Sequence, residues 1–300
     1  MTSQRRPARP ACRWAGVFAG AALAALPAAA AAQALDLFYE RTVMSAADAR
    51  CGLFEPGVRD ALAAGRVQAR GAALRAGADA GALTEAEARA RRQAAALPCA
   101  SPELAREAAR IREAFAGFAR IERMTYPGDV AEWRADRGAG RAVRWRLQQS
   151  ARFGPDRMIF GLAGREGLDA LLAVGEFADG RQPYAARLVL RNRDATRGPY
   201  LDTRGQALAD LPLTRRLPPP SARRAYTAEA RSPAGVELLP RDMKSGWAFR
   251  FPAEAAGALA GLDPREAVAV EFLFAGDQVR RAYLEVGDFA AARAFLAASR

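Results

Sequence analysis

Up to about residue 124 the apolar positions recur every three or four residues, and beyond it they recur every second residue. The first period is that of a helix face and the second that of a half-buried strand. Leu37, Met44, Ala47 and Cys51 share one helical face. Pro56 suits the first position of a second helix, which runs to about Arg75, where Gly77 and Gly81 break it. Thr84-Glu85-Ala86-Glu87 reads as a capping box for a third helix, ending at Leu97-Pro98. Ser101-Pro102 opens a fourth, whose stripe is Leu104, Ala108, Ile111, Phe115 and Phe118. Glu103/Arg106 and Glu107/Arg110 stand three residues apart, where opposite charges meet on a helix surface.

The strand period starts with Val143, Trp145 and Leu147, alternating with Arg144 and Arg146. This alternation puts the two arginines on the solvent side and Trp145 in the core. Residues 158–163, 170–177 and 187–193 predict three further strands. Trp247, Phe249 and Phe251 alternate, as do Val268, Val270, Phe272 and Phe274. Gly276-Asp277 suits a two-residue hairpin turn, with 279–286 returning. Residues 253–262 and 288–298 read as short helices, the second capped by Asp288. Residues 194–225 contain three successive prolines, Pro218 to Pro220, and predict a long surface loop. Its arginines, Arg215, Arg216, Arg223 and Arg224, make it a solvated loop or an anion-binding arm.

The fold class expected is therefore α+β. A helical unit over 35–124 precedes an antiparallel, sandwich-like β domain over 125–300 with two short helices.

Residues 1–34 read as a signal peptide. Arg5, Arg6, Arg9 and Arg13 give a basic start, an apolar run follows from Ala15 to Leu26, and Ala32-Gln33-Ala34 offers a cut before Leu35. An uncleaved anchor is the alternative, but the run is short for a membrane span. Arg5-Arg6 is not followed by the apolar pair of a twin-arginine signal, and Cys12 precedes the apolar run, which excludes a lipoprotein. Export places the remaining Cys51 and Cys99 in an oxidising compartment, where they pair as a staple. The predicted location is periplasmic or secreted.

Net charge is +12 over the full chain. Without the leader, 41 basic residues face 33 acidic ones. Lys244 is the only lysine, so the excess reflects arginine-rich codon usage as well as any taste for an anionic partner. Export argues against nucleic acid.

Histidine is absent, which removes Ser-His-Asp and Cys-His catalysis and histidine zinc sites. One lysine leaves no P-loop, and no Gly-x-Ser-x-Gly occurs. Gly161, Gly164 and Gly167 have the wrong spacing for a dinucleotide loop. No metal or cofactor is expected. Carboxylate chemistry survives, with Glu166, Asp169, Glu176 and Asp179 as a sequence cluster for glycoside cleavage. The competing view makes them counter-charges for nearby arginines.

Trp247 to Leu296 reads as strand, helix, strand, hairpin, strand, and then Gly287-Asp288-Phe289-Ala290-Ala291-Ala292. This order resembles the closing portion of the invasion-associated locus B family of exported bacterial proteins, with its Gly-Phe-x-Ala-Ala helix. The sequence departs from that family in lacking sheet cysteines and in adding a helical N-terminal unit. The resemblance implies an envelope role and carries over no catalytic residue. The leading expectation is a non-catalytic envelope-binding or scaffolding protein whose partner is an envelope component, anionic in character. The alternatives are a carboxylate-dependent glycan hydrolase and a helix-mediated interaction module that would leave Ile111 and Phe115 exposed.

Overall fold

In the computed structural model, which describes residues 26–165, 168–201 and 208–298, the chain is α+β as its periodicity predicts. Four helices come first: α1 (Leu26–Cys51), α2 (Pro56–Arg75), α3 (Ala80–Ala96) and α4 (Pro102–Phe115). Most of the leader lies outside the described residues. Ala34 and Leu35, which flank the expected cut, sit inside α1 and pack against Phe38, Leu74 and Leu83. No described helix is long and apolar enough to cross a membrane.

The inward stripe of α1 is Phe38, Met44 and Ala47, all buried, while Leu37 is 40 % exposed. The larger ring at 38 takes the core position one residue along. α3 starts earlier than its Thr84 box suggests. Asp79 is its cap, accepting the Gly81 N–H at 3.0 Å, so Gly81 lies within the helix. Thr84 instead donates its hydroxyl to the Ala80 carbonyl. The earlier start adds the turn that carries Leu83, which is 2 % exposed, into the core. Ser101 caps α4 as expected, accepting from Leu104 N–H at 3.2 Å. The Cys51–Cys99 disulfide joins the end of α1 to the link before α4, with Cα atoms 5.5 Å apart.

The β region begins with two strands that the periodicity did not show, β1 (Arg123–Tyr126) and β2 (Trp133–Asp136). Each is only four residues long, too short for alternation to register. There follow β3 (Arg144–Phe153), β4 (Asp156–Arg165), β5 (Leu168–Glu176) and β6 (Ala185–Arg191). Next come β7 (Arg223–Thr227), β8 (Ala230–Pro233), β9 (Trp247–Arg250) and helix α5 (Ala253–Ala260). The chain closes with β10 (Ala267–Phe274), β11 (Gln278–Glu285) and α6 (Phe289–Ala297). Gly276 and Asp277 both have positive φ, as the turn between β10 and β11 requires.

A seven-stranded sheet runs β1-β2-β3-β4-β5-β9-β8, and a four-stranded one runs β11-β10-β6-β7, all antiparallel pairs. Their facing sides share one core, including Leu147, Phe160, Leu171 and Phe249 from the first, and Leu188, Val270 and Phe272 from the second. Phe289 and Phe295 of α6 complete it. The helical unit docks on this sandwich through α2 and α6. Arg75 of α2 grips Asp288 with two bonds of 2.7 Å. That pairing replaces the expected cap, for the Asp288 side chain makes no capping bond to α6.

Two expectations about the sheet are corrected. β3 carries a bulge between Trp145 and Leu147. The extra residue turns Leu147 into the main core and leaves Trp145 on the opposite face with Ile159 and Val174. Arg146 is therefore buried, not solvent-facing. Trp133 is the core tryptophan at 1 % exposure, and Trp145 and Trp247 are half-buried. The second correction concerns the proline-rich stretch. It folds back through short 3-10 turns at Leu213–Arg215 and Pro220–Ala222, then enters β7 at Arg223. The prolines lie before the strand, where no ladder N–H is needed.

Candidate functional site

The arginines of that stretch do not form a free cationic arm. Arg216 is fully buried, donating to the Leu211 and Leu208 carbonyls and pairing with Asp129 at 3.0 Å. Arg223 donates to the Pro218 carbonyl. Arg224 is exposed, pairs with Asp194 and lies over the Tyr226 ring. Arg215 is half-buried and also engaged. The sequence grouped four arginines that the fold uses for separate structural tasks.

The acidic cluster is dispersed as well. Asp169 and Glu176 stand near opposite ends of β5, seven residues and so about 23 Å apart along the strand. Retaining or inverting glycosidases need about 5–9.5 Å. Glu176 is held by Arg157, and Asp179 by Arg280. Glu166 lies outside the described residues. The fourth helix is also spoken for, since Ile111 and Phe115 pack half-buried against the Met44, Phe54 and Leu62 cluster.

Asp179 lines a shallow pocket together with its partner Arg280, and Asp169 lines a separate, larger cleft. A cleft of about 760 Å³ opens at the end of the sandwich where β5 starts and β9 stops. Arg146, Asp169, Glu229, Arg250 and Arg293 supply its charges. Leu162, Leu171, Phe251, Ala256 and Leu296 form its apolar walls. α5 and the last turns of α6 roof it. The β3 bulge is what delivers Arg146 here, since a regular strand would turn it away from Leu147's neighbourhood.

Arg146 keeps only 5 % of its side chain exposed. One Nη atom donates to the Gly138 carbonyl at 2.8 Å. Its Nε–H is buried and has no hydrogen-bond partner. The nearest carboxylate oxygen, Oδ1 of Asp169, is 3.9 Å away, beyond hydrogen-bond reach. Burial pushes the Asp169 carboxyl above the usual carboxylate value, against the opposing pull of Arg146 and Arg144. Gly164 of β4 lies between them, paired with Arg144 on one side and Asp169 on the other. Glu229, Arg250 and Arg293 form no ion pair within 4 Å among the described residues.

No other charged group in the cleft equals Arg146 in burial. The arrangement can hold an anion or a hydrogen-bonding polar group at the Arg146 Nε–H. It contains no group of three or more potential metal ligands among the described residues. Sequence reasoning missed Glu229, Arg250 and Arg293 as site members, because they come from β8's approach, β9 and α6. The only local sign was Arg146 itself, hidden by an alternation that looked regular. No known family model, curated protein or solved structure matches this chain.

Proposed function

We propose that this is an exported, non-catalytic binding protein of the cell envelope, and that the sandwich-end cleft holds an anionic envelope component. The observation that carries the reading is the buried, unpartnered Nε–H of Arg146 in that cleft. A buried donor without a partner costs roughly 1–3 kcal/mol, which an acceptor brought by a ligand or a water offsets. Export rests on the basic, apolar and Ala-x-Ala segments of residues 1–34 and is supported by the oxidised cysteine pair. The resemblance to the invasion-associated locus B family supports the same location. Nucleic acid is not the partner in this reading.

The test is recovery of the exported protein from the periplasm and mass spectrometry of what it carries. Wild-type protein should retain an anionic envelope component that Arg146→Met loses. Ligand-free wild type that also fails to bind anions added back sinks the proposal.

One observation favours a second reading, carboxylate-dependent glycan hydrolysis. The raised proton affinity of Asp169 suits a general acid. Its only acidic companion in the cleft is Glu229, two strand spacings across and two residues along the register, or about 12 Å between backbones. Release of reducing ends from envelope glycan by wild type, abolished in Asp169→Asn, decides for it.

A further inference from the structure

We infer that the cleft takes the carboxy-terminal end of a short extended peptide, its chain pairing with the free edge of β5 and its carboxylate meeting Arg146. This rests on the anion-binding reading above and names the ligand class.

The edge comes from the register. β5 pairs with β4 along its whole length, from Leu168 to Glu176. On its other side β9 pairs only with Leu172–Gly175. One more bond, from Phe251 N–H to the Leu171 carbonyl at 2.9 Å, ends that ladder. The chain then leaves the sheet to start α5 at Ala253. The first three residues of β5 thus have no strand beside them on the cleft side. Successive residues of a strand turn their N–H and C=O to alternate sides. Asp169 therefore presents both groups in the direction of Leu171's, toward the cleft. Among the described residues neither has a main-chain partner there.

A peptide strand satisfies such an edge, and a carboxylate satisfies the Arg146 Nε–H. The mixed lining favours a peptide over a bare anion. Asp169 and Glu229 are hydrogen-bond acceptors beside the arginines, and a peptide brings both a carboxylate and the N–H donors that a bare anion lacks. Arg250 and Arg293 offer donors to its carbonyls. The walls at Leu171, Phe251 and Leu296 suit small apolar side chains. A chain of three or four residues spans about 10–13 Å as a strand. The 760 Å³ of the cleft lies within the usual range of about 300–1,000 Å³ for small-ligand sites.

The experiment is calorimetric titration of the full chain with four probes: N-acetyl-tetraalanine as free acid, its C-terminal amide, its fully N-methylated free acid, and acetate. The free acid should bind at least about tenfold more tightly than each of the other three. Arg146→Met should bring acid and amide to the same affinity, and Arg146→Lys should restore part of the preference. If neither variant folds, the four probes on wild type still decide. Amide binding equal to acid, or N-methylated binding equal to unmethylated, overturns the inference. Acetate binding as tightly as the free acid overturns it while the anion reading stands. No binding by any of the four overturns both. The same tetraalanine fused to the end of an inert carrier distinguishes a protein tail from a free peptide, and binding in either form supports the site.

Discussion

Two buried arginines of the sandwich make an instructive pair. Arg191 of β6 reaches Glu266 with Nε and Nη2 at 2.5 and 3.1 Å, and donates to the Thr196 hydroxyl as well. Glu266, 1 % exposed, also accepts the Asp263 N–H. Arg146 is as deeply buried, yet its carboxylate neighbour stops at 3.9 Å and its Nε–H is bare. A buried guanidinium that is fully partnered does structural work. One that is left short beside a cleft is available to a ligand.

Other buried polar groups stand on the Arg191 side of this contrast. Glu285 is fully buried and accepts N–H bonds from Asp129, Val130 and Ala131, clamping the loop between β1 and β2. Glu271 sits between Arg187 and Arg281 on neighbouring strands. Arg137 lies between the Phe118 and Phe295 rings and donates to the carbonyls of Phe118, Ile121 and Phe295, tying the helical unit to α6. Arg187 also leaves its Nε–H unpartnered, but its Nη2 holds Glu271 at 2.6 Å, whereas among the described residues no carboxylate comes within hydrogen-bond reach of Arg146.

The largest expected effect is on the satisfied side. Glu266→Ala should lower unfolding free energy by about 3–5 kcal/mol in denaturant titration, because Arg191 is left buried and unpaired. The double change Arg191→Met with Glu266→Leu should recover most of that loss. A single-site loss under 1 kcal/mol would erase the distinction between the two arginines. Reduction of Cys51–Cys99 should cost about 4 kcal/mol by loop entropy, read by the same titration with and without reductant.

Arg146→Met should cost no more than about 1.5 kcal/mol, since it trades one good bond and one unsatisfied donor for an apolar side chain of similar reach. A loss as large as that of Glu266→Ala would show that Arg146 is structural too.

Asp169 gives a smaller effect with a distinctive sign. Its carboxyl is raised in the folded state, so the native protein binds this proton more tightly than the unfolded chain does. Its contribution to stability is present below the ordinary aspartate value and declines as pH rises through the raised one. Asp169→Asn should remove that decline. Glu271 has the opposite sign. Burial pulls it upward, but its bonds to Arg281 and Arg187 win and lower it. Its stabilisation is full above the ordinary glutamate value and is lost as pH falls through the lowered one. Opposite changes in the pH profile of Tm for Asp169→Asn and Glu271→Gln test the comparison. The smallest effect is at the surface, where Glu107→Ala, breaking an exposed pair with Arg110, should cost about 0.5 kcal/mol or less.

The helical unit was legible because its cues are local. Pro56, Ser101 and the Leu104–Ala108 stripe act within one or two turns, and the structure follows them. The hairpin at Gly276-Asp277 is legible for the same reason, since two residues with positive φ define it. Trp145 was misread because alternation counts residues, and the bulge inserts one without changing the letters. Arg216 was misread because flanking prolines and arginines describe a solvated loop, while its burial depends on the distant Asp129 and on carbonyls at Leu208 and Leu211.

By itself the sequence determined the α+β order, the cysteine pair, the closing hairpin and the absence of histidine chemistry. Each follows from period, spacing or composition within short reach along the chain. Only the tertiary structure decided that Arg146 turns inward, that Asp169 stands near it, and that β9 stops short of the start of β5. Those outcomes depend on a bulge, on strand register and on the meeting of β3, β5, β9 and α6. The energies that set them arise between residues far apart in sequence, where no local pattern records the contact.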